Sequence, residues 1–293
     1  MFGLDLISII AAAIGGGAGG ALGGALGALV KAPNVRIALI AGLASVGAIV
    51  GSPLIKPYLD TSIGTSVRGS QFEATYENEV LPEIKKIPAL ERIFREHPDV
   101  EAKFRAKAKE IYEAGGAKAL VEQSSAIGAL VLGEAFSSYM PRARKQDLIF
   151  FAVTMGEVFS KMNESDPEAC IFYQFGATYG KALTPDRIKA SIGPDLEKKQ
   201  IDVMNAVVTN AADQPIAFDD TKATLAVADL STRHAPELTG ASAEVAQGKR
   251  PPKDVAEAKV ACGFAAALFH DLATMDPDTA ELILRKMFSR GAG

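Results

Sequence analysis

Hydrophobic and polar positions divide the chain into two regimes. Leu6 to Val30 runs for 25 residues without a charge, and Ile37 to Ile55 adds 19 more after the short loop Lys31-Ala-Pro-Asn-Val-Arg36. About 20 apolar residues carry a helix across a bilayer. The pattern therefore predicts two transmembrane spans, 6–30 and 37–55, in a hairpin domain of residues 1–57. A cleaved signal peptide fits less well, because MFGLD puts no basic residue before the apolar run and the run exceeds an h-region. Residues 58–76, polar and containing Gly, Ser and Thr, read as a linker. A helical domain follows over 77–293.

In that domain the apolar period is helical almost throughout. Val80, Ile84, Ile87, Leu90 and Phe94 step by three and four, with Pro88 breaking the run into two pieces. Val100, Phe104, Ala108, Ile111 and Tyr112 form an inward stripe on a helix entered at Pro98-Asp99 and left at Gly115-Gly116. Its outer side carries Lys103, Arg105, Lys107 and Lys109, read as a solvated face rather than a contact with anionic lipid. Further helices are expected near 117–139, 145–163, 166–176, 185–192, 195–212, 220–233, 253–274 and 277–290. The string SDPE, Ser165 to Glu168, has the form of a capping box with Pro in the first turn. MDPD, Met275 to Asp278, starts a helix in the same style. No pair of alternating β-rich runs occurs, so the fold class is all-α, an N-terminal transmembrane helical hairpin followed by an all-helical domain.

The first span holds its glycines in register. Gly15, Gly19, Gly23 and Gly27 recur every four residues, with Gly16, Gly20 and Gly24 beside them. Positions i and i+4 share a helix face, so the ladders form a groove without side chains. In water each glycine costs about 1 kcal/mol against alanine. In lipid the backbone must bond within the helix, and small residues let a second helix approach closely. Ala38-Gly42 and Gly47-Gly51 offer the partner surface. This stretch, about the first 55 residues, resembles the glycine-zipper transmembrane segments of bacterial membrane proteins. The resemblance implies tight helix packing and self-association, as in channels, pore-forming toxins and plain anchors. Polar side chains within the spans are serines, among them Ser8 and Ser45, and no intramembrane charge marks an ion path.

Charge then assigns sides. Lys31 and Arg36 lie in the loop without an acid, so the positive-inside rule puts the loop in the cytoplasm and both termini outside. For a bacterial inner membrane that makes the helical domain periplasmic. A net charge of −4 gives no footprint for nucleic acid. Aromatics are 7% with no Trp, a profile that suits close-packed helices better than sheets.

Cys170 and Cys262 are too few for a disulfide scaffold and lack zinc-site spacing. They occur in an internal echo: EACIFYQFGATYGKALTPD from Glu168 and KVACGFAAALFHDLATMDPD from Lys259. At an offset of 92, Ala169/Ala261, Cys170/Cys262, Phe172/Phe264, Pro185/Pro277 and Asp186/Asp278 coincide. Two copies of a helix–proline-turn–helix unit would bring the cysteines together as a disulfide, favoured by an oxidising compartment. The alternative is two core thiols.

Candidate chemistry is sparse. Glu134 and Glu157 each end an apolar run, and as a pair they would serve as acid and base. The simpler account pairs them with Arg142, Arg144 or Lys161, or leaves them at the rim of a buried face. His270-Asp271, with His234 upstream and Asp276 or Asp278 after it, resembles the doublet of HD-type metal phosphohydrolases. That pattern wants a further histidine before the doublet and an aspartate well after it, and only 22 residues follow Asp271. His97, beside Pro98, reads as a surface or capping residue. No Gly-x-Ser-x-Gly, Walker, Cys-x-x-Cys or His-Glu-x-x-His string is present. No catalytic, cofactor or metal residue is assigned, and no cofactor is expected. The chain reads as a non-enzymatic, membrane-anchored assembly, scaffold or accessory subunit of an envelope complex. Its partners would be membrane lipid and either copies of itself or other membrane-complex subunits. A pore-forming oligomer and a membrane-bound hydrolase are the alternatives.

Overall fold

The computed structural model describes residues 72–77, 81–113, 135–136, 138–175, 185–234, 241–246 and 250–289. Both expected spans, with Gly15, Gly16, Gly19, Gly20, Gly23, Gly24, Gly27, Gly42, Gly47 and Gly51, lie outside these residues, as does Glu134. Among the described residues the fold is all-α and no strand occurs. No helix among them is long and apolar enough to cross a membrane.

The elements are α1 (Phe72–Thr75), α2 (Leu81–Lys85), α3 (Pro88–Glu96), α4 (98–113), a 3-10 turn (Met140–Arg142), α5 (Lys145–Ser165), α6 (Pro167–Phe175) and α7 (Pro185–Ile192). They continue with α8 (Pro194–Thr209), α9 (Asp220–His234), α10 (Ala241–Ala246), α11 (Val255–Thr274) and α12 (Pro277–Ser289). Proline opens α3, α4, α6, α7, α8 and α12. Its fixed φ suits the first helical position and its missing N–H has no intrahelical partner there. Aspartates supply several caps: Asp254 accepts from Glu257 N at 2.9 Å and Asp276 from Thr279 N at 2.9 Å. In the SDPE string the cap is Asp166, which accepts from Ala169 N at 3.1 Å. Ser165 instead closes α5, its Oγ 2.8 Å from the carbonyls of Lys161 and Ser191. From Phe72 the chain is already helical, within the segment read as a linker to residue 76. Phe72 and Tyr76 are buried there, which ties this turn to the core. The short helix α10 was not expected, since ASAEVA is too brief to show a period.

The most extensive helix–helix contact joins α5 and α11. Leu148, Phe151, Ala152, Met155, Val158, Phe159 and Met162 on α5 meet Ala258, Ala261, Ala265, Leu268, Phe269 and Leu272 on α11, all buried. At Gly156 the two helices are close enough that a Cβ would sit in van der Waals contact, 3.4 Å from the backbone of Phe269 and His270. Phe269 stands between Phe159 and Phe151, with ring centroids 5.5 and 6.1 Å away. Around this pair, α6 and α10 pack on α11, α8 and α12 on α5, α9 on α12, and α3 on α8. The stripe Val100, Phe104, Ala108, Ile111 and Tyr112 is buried along α4, with Phe104 5.8 Å from Phe94. The basic residues on its outer side are each paired, Lys103 with Asp99, Arg105 with Glu73 and Glu77, Lys107 with Glu110 and Lys109 with Glu73. This is a neutralised, solvated face.

Candidate functional site

Polar groups from four parts of the chain converge around the Met140–Arg142 turn. A 3-10 turn leaves carbonyls without helical partners, and here they are taken up from outside. Arg285, 1% exposed, donates to Pro141 O at 3.0 Å and Ala143 O at 2.8 Å, with Glu281 as its counter-ion at 2.7 Å. The connector after α8 adds Ala212 N to Arg142 O at 2.9 Å and Ile216 N to Pro141 O at 3.0 Å. Arg92 of α3 caps the end of α8, its Nη1 donating to the carbonyls of Val208, Thr209 and Ala211 at 3.0, 3.1 and 2.9 Å. A cation at that end also complements the negative pole of the helix dipole.

Between these anchors lies a charged cluster. Glu96 accepts from Arg92 Nε at 2.6 Å and from Arg142 Nη2 at 2.9 Å. Burial alone would push its carboxyl upward, but the two guanidiniums hold it at about 2. The ring of Tyr139, wholly buried, carries the guanidinium carbon of Arg142 4.3 Å from its centroid and that of Arg92 5.6 Å away. Such stacking suits the planar, weakly hydrated arginine head. Burial, and next the neighbouring Glu96, pushes the Tyr139 phenol up to about 12, so it stays neutral. His97 sits edge-on to Tyr139 at 5.8 Å and terminates α3, donating its N–H to Ile93 O. Its Nε2 is 3.3 Å from Ser138 Oγ, but that hydroxyl donates to Ala135 O at 2.7 Å. The serine proton is therefore not committed to the histidine, and the pair lacks the geometry of an activated nucleophile. The cluster is organised to hold charge in place.

A second buried centre surrounds the cysteines. Cys170 on α6 and Cys262 on α11 are joined in a disulfide, their Cα atoms 6.0 Å apart and both residues fully buried. Gln174 Nε2 donates to Cys170 Sγ at 3.2 Å, and Cys262 Sγ lies 3.5 Å from Phe159 O. Nearby, Gln200 of α8 donates to the Tyr173 hydroxyl, and burial pushes that phenol up. The bond fastens the short helix α6 to the central helix pair.

The remaining sequence candidates separate. Glu157 is paired with Lys199 of α8 at 2.6 Å on the surface, not with Arg142, Arg144 or Lys161. His270 is exposed. Asp271 turns to His234 Nε2 at 3.1 Å and Arg233 at 3.2 Å, with His234 buried edge-on to Phe264. Adjacent in sequence, His270 and Asp271 thus do not act as one doublet. Among the described residues no three His, Cys, Asp or Glu side chains are placed to hold a metal ion. Sequence reasoning missed the Arg92–Glu96–Arg142–Tyr139 cluster. The i,i+4 spacing of Arg92 and Glu96 was a usable signal for half of it; nothing local points to Arg142. No family model, curated protein or solved structure gives a significant match to the chain.

Proposed function

We propose that this protein is a membrane-anchored, non-enzymatic helical subunit that assembles or completes a bacterial envelope complex. A glycine-zipper hairpin over 6–30 and 37–55 holds it in the inner membrane, and the helical body lies in the periplasm. The observation that carries the reading is the fully buried Cys170–Cys262 disulfide. Such bonds persist in oxidising compartments and are rare in the reducing cytosol of mesophiles. That agrees with the side of the membrane assigned by Lys31 and Arg36. The polar clusters add support of a different kind: Arg285 and Asp271 are spent on carbonyls and counter-charges within the fold. The echo at an offset of 92 extends the reading to a duplicated unit, α6–α7 matching α11–α12. Pro185 and Pro277 start the second helix of each copy.

Alkaline phosphatase and a cytoplasmic fluorescent reporter, fused after Gly293 or inside the 31–36 loop, test the reading. Phosphatase activity is expected at 293 and fluorescence in the loop. Fluorescence at 293 with an inactive phosphatase would place the body in the cytosol and overturn both the localisation and the envelope role.

A further inference from the structure

Among the described residues Arg92 and Arg142 share one hydrogen-bonded counter-ion, Glu96, and a second carboxylate, Asp213, stands 3.9 Å from Arg92. The two arginine side chains are 12% and 13% exposed, and among the described residues Glu96 is the one carboxylate within hydrogen-bond distance of either guanidinium. The hydrogen-bonded triad Arg92–Glu96–Arg142 taken alone carries a net positive charge, and the carboxylate that balances it, Asp213, is fully exposed and outside hydrogen-bond distance, so a ligand anion can take its place. Donor capacity remains as well. Arg142 Nε is buried and has no acceptor. Among the described residues Arg142 Nη1 reaches the Asp213 carbonyl alone, at a long 3.4 Å. Arg92 Nη2 faces Asp213 Oδ1 at 3.9 Å, beyond hydrogen-bond distance, and that side chain is fully exposed. Both guanidinium groups are nevertheless fixed, Arg92 by three carbonyls and Arg142 by the Tyr139 ring and Glu96. Planar donors held in position before a ligand arrives favour bidentate binding of oxyanions.

From this geometry we infer that Arg92 and Arg142 form an oxyanion-binding site that takes a carboxylate or phosphate group, with Asp213 as its intramolecular competitor. The ligand enters as the second counter-ion of the cluster, and the Asp213 carboxylate moves aside into solvent. The site does not depend on which side of a membrane the body occupies.

The test uses the full-length chain in mild detergent. Inorganic phosphate and succinate are titrated separately at constant ionic strength set with chloride, and thermal unfolding is followed by circular dichroism. A ligand of the folded state raises Tm with a saturable dependence on concentration. The general salting effect of phosphate has no saturation point. Saturation is expected with at least one of the two anions, and which one distinguishes a phosphate source from a carboxylate source. Asp213→Asn shifts half-saturation to about two- to fivefold lower concentration, the worth of one exposed ion pair. Arg142→Gln weakens binding at least about tenfold, and Arg142→Lys, which keeps the charge without the fork, gives an intermediate value. If Arg142→Gln fails to fold, Asp213→Asn decides alone. A response that never saturates, one that survives Arg142→Gln, or a half-saturation point unmoved by Asp213→Asn overturns the inference.

Discussion

Replacing Glu96 with Gln isolates the electrostatic contribution of the charged cluster, because the amide keeps the shape of the side chain and removes its charge. The folded-state carboxyl sits at about 2 against an ordinary 4.5, which corresponds to roughly 3 kcal/mol of preferential stabilisation of the charged form. The side chain is 26% exposed, so solvent screening lowers this to about 2 kcal/mol. The sign follows from the depressed value. The stabilisation is complete above pH 4.5 and disappears as the pH falls towards 2, where the folded-state carboxyl itself is protonated. Glu96→Gln is therefore expected to lower stability by about 2 kcal/mol at pH 7, since two part-buried guanidiniums lose the carboxylate that hydrogen-bonds both. Urea unfolding of the detergent-solubilised chain at pH 7, 5 and 3 measures this as a fall in midpoint at unchanged slope. Other carboxylates titrate over the same range, but they do so in both proteins, so the difference between wild type and variant is the informative quantity. It should shrink between pH 5 and pH 3. A difference equally large at pH 3 would trace the effect to packing, and no difference at pH 7 would refute the electrostatic account altogether.

Two more substitutions probe the frame that holds the cluster. Cys170→Ala combined with Cys262→Ala opens a closed loop spanning a sequence separation of 92, for which chain entropy gives at most about 4–5 kcal/mol. A fall in Tm of roughly 10 °C is expected, and an unchanged Tm would show that the bond stabilises nothing. Gly193, at the start of α8, has φ 80° and ψ 164°, a region that costs a non-glycine residue about 1–3 kcal/mol. A Cβ there meets open space, so Gly193→Ala should lower Tm by several degrees through backbone strain alone, and an unaltered melt would contradict the assigned conformation.

How much of this was legible in the sequence depends on the distance between the interacting residues. Prolines at 98, 167, 185 and 277 marked helix starts, and Pro88 a break that proves to be a start, because their effect is confined to one residue's φ and N–H. The stripe from Val100 to Tyr112 was readable because burial repeats with the helix period. Side-chain partners were less so. Glu157 had Lys161 on its own helix and Arg142 and Arg144 shortly before it, yet it is paired with Lys199. Arg144 turns to Asp147 and Arg142 to Glu96. Local spacing gives a charge its candidates, but helix crossing decides among them, and an exposed i,i+4 pair is worth only a few tenths of a kcal/mol. A partner brought in by tertiary packing outcompetes it easily. The same reasoning explains why Asp271 binds His234, 37 residues away, while His270 beside it faces solvent.

That long-range placement also explains why the arginines gather where they do. The turn at Met140–Arg142, the C-terminal end of α8 and the connector over 211–219 are the stretches whose carbonyls helices cannot satisfy, and leaving such groups buried and unpaired would cost about 1–3 kcal/mol each. Arg285 and Arg92 supply several donors apiece on rigid forks, so two side chains settle five carbonyls. The result is a connector whose backbone is pinned through Ala211, Ala212 and Ile216 while Ala212, Asp213, Gln214 and Pro215 present their side chains to solvent. Arg285 brings its own anion in Glu281. Arg92 shares Glu96 with Arg142. Carbonyl capping thus accounts for Arg285 and Arg92, but with Arg142 added the triad is balanced only by the exposed Asp213, 3.9 Å away on the pinned connector. A ligand anion there would meet donors already aimed and a loop already ordered, so its binding would require little conformational entropy from the protein.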